Sequence, residues 1–345
     1  MEIVLGLLII AIGAFCQSSC YVPINKIKDW SWESYWIVQG VFAWLVLPLL
    51  GALLAVPAGH SLCELFTAGN GFKIGMTILF GVLWGVGGLT FGLSMRYLGV
   101  ALGQSISLGT CAGLGTILGP VMLNVFFPEA DHLSKLTASV IIGVVVTLVG
   151  IAIIGVAGGM KAQSLSEEEK KAAVKDFNFP KGIAIALLAG FMSGCFNVGL
   201  AFGEDLNFGD LTAPMFSTLP ATFLVTLGGF VTNAVYCFYQ NSRNKTWGDY
   251  RKGAVWGNNL LFCLIAGALW YSQFFGLSLG KGFLTDSPVL MTFSFCILMA
   301  LNVTFSNVWG IILKEWRGCS QRTIVVLIVG LVVLIVSSFL PQLIG

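Results

Sequence analysis

The residues of this chain best placed to do chemistry are amides, hydroxyls and tryptophans set at helical spacing in apolar sequence. Gln17 and Tyr21 are four apart, Gln104 and Ser107 three, Ser193 and Asn197 four, Trp270 and Gln273 three. Asn302, Ser306 and Trp309 follow one another at i, i+4 and i+7, and Trp84 shares a helical face with Gly88 and Phe91. Each spacing gathers its groups on one side of a helix. Amides and hydroxyls both hydrogen-bond hydroxyl groups, and an indole ring offers a flat face to C–H groups. The combination suits holding a neutral, hydroxyl-rich small molecule such as a sugar. It does not suit breaking bonds: the sequence shows no nucleophile–base pair and no His/Cys cluster with zinc spacing, so no enzyme activity, metal or cofactor is expected. Each amide has a plainer reading as an interhelical hydrogen bond, and each tryptophan as an interfacial anchor. Recurrence of the pattern in several segments favours a shared cavity.

The elements that carry these residues are membrane helices. Of 345 residues, 57% are hydrophobic and 10% charged, against about 25% charged in soluble domains. Ten runs contain no Asp, Glu, Lys or Arg: 3–25, 34–63, 74–95, 97–128, 136–160, 182–203, 211–242, 253–280, 287–313 and 323–345. A helix needs about 20 apolar residues to cross the hydrocarbon, so ten spans are expected in an all-α integral membrane protein embedded in a lipid bilayer. The alternating ten-residue strands of a β-barrel do not occur. The first run lacks a basic n-region and is read as span 1. Seven of the nine cysteines fall within spans as small apolar residues. There is no basic stripe for nucleic acid and no P-loop.

Glycines repeat four apart on spans 3 and 4: Gly81/Gly85, Gly88/Gly92, Gly99/Gly103, Gly109/Gly113 and Gly115/Gly119. Such pairs let membrane helices pack closely; sliding of smooth faces is the functional extra.

Charge sets the expected orientation. Fifteen of the eighteen Lys and Arg residues fall in loops 1–2, 3–4, 5–6, 7–8 and 9–10, leaving Lys73, Lys135 and Lys281 opposite. The positive-inside rule puts the fifteen in the cytoplasm and both termini outside. The longest polar stretch divides the chain into a first five-helix half, 1–160, a cytoplasmic linker, 161–181, and a second half, 182–345. Ser166 and Glu169 have capping-box spacing for a short linker helix. An odd number of spans per half inverts the second half, giving two inverted five-helix repeats. An echo supports this: Leu-Trp followed by Phe-Gly-Leu-Ser occurs from Leu83 on span 3 and again from Leu269 on span 8, the third helix of each half.

Four stretches carry a resemblance: Lys26-Ile-Lys-Asp-Trp-Ser-Trp-Glu33, Leu83-Trp-Gly-Val-Gly87 continuing to Gly92-Leu-Ser-Met-Arg-Tyr-Leu-Gly99, Leu269-Trp-Tyr-Ser-Gln-Phe-Phe275, and Leu313-Lys-Glu-Trp316. With them the chain resembles the L-rhamnose–proton symporter family of the drug/metabolite transporter superfamily. The resemblance implies a secondary transporter of the cytoplasmic (inner) membrane that imports a neutral 6-deoxyhexose, L-rhamnose, with protons by alternating access. The region around Glu204, Asp205 and Asp210 resembles the family less, which leaves L-fucose as substrate, sodium as coupling ion, or export of a metabolite or drug as alternatives. A non-transporting sensor or scaffold is the reading from another class.

The residues expected to bind sugar are Trp84 and Trp270 as stacking platforms, with Gln17, Gln104, Asn197, Gln273 and Asn302 as hydroxyl partners. No span holds a central carboxylate, so proton coupling falls to acids at span boundaries. Asp286 leads on the outer side, read as partly buried; its plainer role is a helix start before Pro288. Glu33 complements it on the cytoplasmic side, supported by Lys26 or Lys28. Glu204, Asp205 and Asp210 are held in reserve.

Overall fold

A computed structural model describes residues 2–98, 100–164, 178–312 and 316–344. Most of the linker, with Ser166 and Glu169, lies outside the described residues. Among the described residues, ten helices are long and apolar enough to cross a membrane: α1 Glu2–Ile24, α2 Trp32–Leu54, α3 Gly71–Ser94, α4 Gly103–Phe126, α5 Ala138–Lys161, α6 Pro180–Phe202, α7 Pro214–Asn244, α8 Gly253–Lys281, α9 Pro288–Ile312 and α10 Gln321–Ile344. Their polarity is turned outward compared with a soluble protein. Val4, Leu8 and Ile12 of α1 are each more than half exposed, and Val325, Ile328, Val332 and Val336 of α10 about half. Gln17, Gln39, Asn233, Gln273, Gln104 and Asn302 are instead buried. That arrangement belongs in lipid, where an exposed aliphatic side chain loses nothing and an exposed amide is costly.

The helices form two compact units, residues 1–85 with 199–283, and 86–198 with 284–345. In the first, α1 packs on α8 and α2 on α7 and α8. Glycines set the approach. A Cβ added at Gly13 would lie 2.7 Å from the Ser272 carbonyl oxygen and 3.2 Å from Gln273 Cα, and one at Gly267 would lie 2.9 Å from Phe42 Cβ. On the amino-terminal part of α3, a Cβ at Gly81 would meet the Val225 backbone of α7, and Thr232 of α7 donates to the Val82 carbonyl at 2.9 Å. In the second unit α4 packs on α5 and α9, and α5 on α10. A Cβ at Gly87 would lie 2.6 Å from Ser193 N of α6, one at Gly150 3.0 Å from Leu334, and Thr147 donates to Ser337 at 3.0 Å. Small residues thus bring backbones to van der Waals distance where no hydrophobic effect drives association.

One helix departs from regular winding. Residues Val41–Val46 of α2 form a six-residue π-helix, closed by Leu47 N–H donating to the Phe42 carbonyl. Pro48 explains the departure. It has no N–H to return to the Trp44 carbonyl, and its ring would strike that oxygen in an α-turn.

Candidate functional site

In the first unit, three helices deliver three indoles to one corner. Trp84 of α3 and Trp270 of α8 lie 5.6 Å apart between centroids, tilted by 37°. Trp44, on the π-turn of α2, stands upright against both, 6.0 Å from Trp270 at 87° and 6.1 Å from Trp84 at 86°. Edge-to-face contacts of this length are a favoured arrangement of aromatic pairs. Glycine makes room: the Trp84 ring lies where Gly229 of α7 has no Cβ, and the Trp44 ring where Gly40 has none. Trp84 and Trp270 keep part of their surface open, while Trp44 is 3% exposed. Phe274 and Trp36 extend the corner, at 5.3 Å from Trp270 and 5.6 Å from Trp44.

The polar groups of these helices divide sharply. The Trp36 indole N–H donates to Asn233 Oδ1 at 2.9 Å, and Gln273 Nε2 donates to the Trp270 carbonyl at 3.1 Å. Trp44 Nε1, Gln17 Oε1, Gln39 Oε1 and Tyr271 OH are buried with no hydrogen-bond partner among the described residues. An unmade bond at a buried group costs about 1–3 kcal/mol. Trp30 Nε1 and Gln240 Oε1 of the same unit, and Ser105 Oγ, Asn307 Oδ1 and Trp316 Nε1 of the second, are unmatched too among the described residues, so what sets the corner apart is an unmatched indole donor beside partly open indole faces. Indole faces with unmatched donors and acceptors nearby form a surface chemically suited to a hydroxylated ligand. Gly13, one turn before Gln17 on α1, lies against Gln273 of α8.

The second unit holds Gln104, Asn197 and Asn302. Gln104 Nε2 donates to Ser306 Oγ at 2.8 Å and Asn197 Nδ2 to the Gly115 carbonyl at 2.8 Å, so both carry out the interhelical bonding that is the plain alternative to sugar binding. Asn302, 1% exposed, directs Nδ2 at Met299 Sδ, 4.0 Å away. A cavity of about 620 Å³ opens between α4, α5 and α6, lined by apolar groups such as Ile106, Leu148 and Ile151. None of the seven expected sugar-binding residues is among its described lining residues.

The acids are placed differently from the sequence expectation. Asp286, read as partly buried, is exposed, as are Glu204, Asp205 and Asp210; Asp205 pairs with Lys73. Glu33 is 5% exposed. It is held by Asn244 Nδ2 at 3.0 Å and Thr246 Oγ1 at 2.8 Å, where Lys26 or Lys28 was expected. Those two lysines contribute backbone instead: their carbonyls accept from Asn258 and Asn259 at 2.9 and 2.8 Å.

Glu33 belongs to a polar clasp centred on Asp249, an acid the sequence reading passed over. The Asp249 carboxylate accepts Ser31 N–H at 2.7 Å, the Ser31 and Ser34 hydroxyls at 2.7 and 2.9 Å, and Lys252 Nζ at 2.6 Å. Burial opposes its ionisation, yet the bonds from Lys252, Ser31 and Ser34 outweigh it and hold the carboxyl at about 2. Asn241 joins Ser34, Tyr250 and Thr246, and Trp30 packs edge-on against Tyr250 and Trp256. The start of α2 is thereby tied to the loop between α7 and α8.

Sequence reasoning also missed Trp44, Trp36 and Gln39. The signal was present: Trp32, Trp36 and Gln39 repeat at four and three, with Trp44 before a proline. For Asp249 the signal was a lone acid among Arg243, Lys245, Arg251 and Lys252.

Comparison with known proteins bears on this geometry. The family model for L-rhamnose-proton symport protein (RhaT) matches residues 1–343. An L-rhamnose-proton symporter of Klebsiella pneumoniae is 29% identical over 347 residues, covering 97% of this chain and 96% of the relative. Symporters of the same name from an Enterobacter species and from Yersinia pestis are 28% and 29% identical over 344 and 354 residues, with the same coverage of both chains. With the match running through every span that builds the tryptophan corner and the clasp, the chain belongs to the L-rhamnose-proton symport protein family.

Proposed function

We propose that this protein imports L-rhamnose, a neutral 6-deoxyhexose, with protons across the cytoplasmic membrane. The observation that carries the reading is the family match over residues 1–343, in a chain whose first unit gathers indole faces and unmatched amide and hydroxyl atoms. Trp84 and Trp270 serve as platforms, and Gln17, Gln104, Asn197, Gln273 and Asn302 bond sugar hydroxyls during the cycle. Glu33 is the first candidate for the coupling acid because it is the buried one; Asp286 is the second. Both termini face outward, with the clasp on the cytoplasmic side.

The transport cycle is alternating access of two inverted repeats, residues 1–160 and 182–345 joined by 161–181, within the drug/metabolite transporter superfamily. Two features support the repeat. Helices α2, α4 and α5 each pack on the helix five places later, α7, α9 and α10. The contacts of α1 with α8 and of α6 with α3 also correspond in register. Gly13 touches Gln273, and Ser193 touches Gly87. Gln17 follows Gly13 by four residues as Asn197 follows Ser193, and Gln273 follows Trp270 by three as Gly87 follows Trp84.

The test is uptake of labelled L-rhamnose into proteoliposomes under an imposed pH gradient, with L-fucose and a sodium gradient as parallel arms. Accumulation of L-rhamnose driven by the pH gradient is expected. No accumulation of rhamnose under either gradient would sink the proposal.

A further inference from the structure

We propose that Trp44 is a sugar-binding residue of this transporter, its indole N–H donating to a substrate hydroxyl and its ring forming a third wall beside Trp84 and Trp270. The inference rests on the sugar-transport reading above and adds a residue and a role to it.

Geometry comes first. Trp44 is the ring that touches both expected platforms, standing nearly perpendicular to each at 86° and 87°. Two tilted rings and one upright ring make a corner. A sugar has an apolar C–H face and a rim of hydroxyls, and a corner offers a surface for each: ring faces for the C–H groups, and an in-plane N–H for the rim.

The N–H itself is the second observation. Indole Nε1 donates and cannot accept. Trp44 is 97% buried by exposure of 3%, and its Nε1 has no acceptor among the described residues. Its neighbour Trp36, one ring away, shows that an acceptor is within the means of this fold: Asn233 takes that N–H at 2.9 Å. Gln39, on the same helix and 1% exposed, presents the opposite defect, an Oε1 acceptor with no donor. A hydroxyl is both donor and acceptor, so a polyol is the class of ligand that answers both kinds of defect.

The third observation is the winding of α2. The π-helix Val41–Val46 is centred on Trp44 and its neighbours. Single π-turns inside α-helices are frequent at functional sites; this one, set by Pro48, changes the direction in which α2 presents its side chains. Here the side chain it carries into the corner is Trp44. In the structure the corner is closed on itself by ring contacts, so sugar enters as the rings part.

The experiment replaces the N–H and keeps the ring. Trp44→Phe, and in parallel 3-benzothienylalanine at position 44, which exchanges the N–H for sulfur at almost unchanged shape, are reconstituted in proteoliposomes. Half-saturating concentrations are measured by counterflow for L-rhamnose and for its 1-, 2-, 3- and 4-deoxy analogues. Removing one hydrogen bond from a closed site corresponds to roughly a 5- to 150-fold rise. That rise is expected for L-rhamnose with both replacements, and it should disappear for one of the deoxy analogues, the one lacking the bonded hydroxyl. Unchanged half-saturation in the benzothienylalanine protein would overturn the proposal even if Trp44→Phe does not fold. An equal rise for every analogue would also overturn it, since that is the mark of a packing residue. If the wild-type protein carries a sugar other than L-rhamnose, the substrate assignment fails on its own. The same comparison is then run with that sugar's deoxy series.

Discussion

The clasp, on α2, α7 and α8, and the tryptophan corner, on α2, α3 and α8, lie in the same unit, yet they treat buried polarity in different ways. In the clasp, Asp249 accepts four bonds, Glu33 two, and Asn259 both gives and takes one from the Lys28 backbone. Its exception is the Trp30 indole N–H. On α2, which carries the corner's Trp44, Trp44 Nε1 and Gln39 Oε1 are both left unmatched among the described residues. A fully satisfied network in low dielectric rigidifies a structure, while a partly satisfied one is expensive. An unmatched buried group calls for an explanation; a bound hydroxyl is the one proposed for the corner, while the clasp needs none to hold the start of α2.

The comparison breaks most visibly at Asp249. Asp249→Ala removes the acceptor of the Ser31 N–H and hydroxyl, while Ser34 keeps Asn241 and the exposed Lys252 keeps the Asp29 carbonyl. Groups left unmatched in this way cost about 1–3 kcal/mol. A drop in unfolding temperature in detergent is expected, with half-saturation for sugar unchanged in whatever folded protein remains at low temperature. A stable Asp249→Ala protein would show that the clasp does not hold α2. The pH dependence has a definite sign. The folded carboxyl titrates at about 2, below the 3.8 of an unperturbed Asp, so its contribution is full above about pH 4 and is lost as pH falls through 2. The gap corresponds to about 2 kcal/mol. Wild type should therefore lose stability between pH 4 and pH 2, and Asp249→Asn should lack that component.

Gln273 sharpens the other side. Its Nε2 bonds the Trp270 carbonyl within its own helix at 3.1 Å. Gln273 is buried, so its truncation carries an ordinary stability cost. Gln273→Ala is expected to lower stability by about 1–2 kcal/mol while weakening sugar binding by about 1–3 kcal/mol. Counterflow half-saturation checks the second figure. Unchanged affinity and flux would remove Gln273 from the site.

Much of this was legible in the sequence, for reasons that differ by residue. Ten spans follow from charge-free runs because lipid leaves the backbone no alternative to helix. Trp84 and Trp270 were legible because they sit in an echo, and the structure brings their rings together. Trp44 was not, since its place depends on a π-turn that shifts every following side chain around the helix, and no helical-period count anticipates that shift. Gln104 and Asn197 show another limit. Their spacing was legible, but the partners they bond in the structure, Ser306 and the Gly115 carbonyl, lie far away in sequence and only packing reveals them. Asp249 was hidden by its loop: it stands among four cations that entered the sequence reading only through the orientation count, and the start of α2 that covers it is distant in sequence.

The smallest stability effects belong to the two candidate coupling acids, and they divide the clasp from the outer surface. Asp286 is exposed beside Ser287, whose hydroxyl donates to Gln342 Oε1 at 2.7 Å. Asp286→Asn is expected to change stability by less than about 0.5 kcal/mol, as exposed substitutions do. Glu33→Gln keeps an amide oxygen that still accepts from Asn244 and Thr246, so its stability loss should stay near 1 kcal/mol. The informative readout is transport. An acid that couples must be deprotonated and reprotonated in each cycle, and a permanently neutral amide in its place uncouples sugar movement from the gradient without blocking exchange. Glu33→Gln is therefore expected to retain rhamnose counterflow and to lose accumulation under a pH gradient, with Asp286→Asn accumulating normally. The reverse pattern would move the coupling role to Asp286 and return Glu33 to the clasp as a purely structural acid. Normal accumulation in both variants would take the role away from both and direct attention to Glu204 and Asp205.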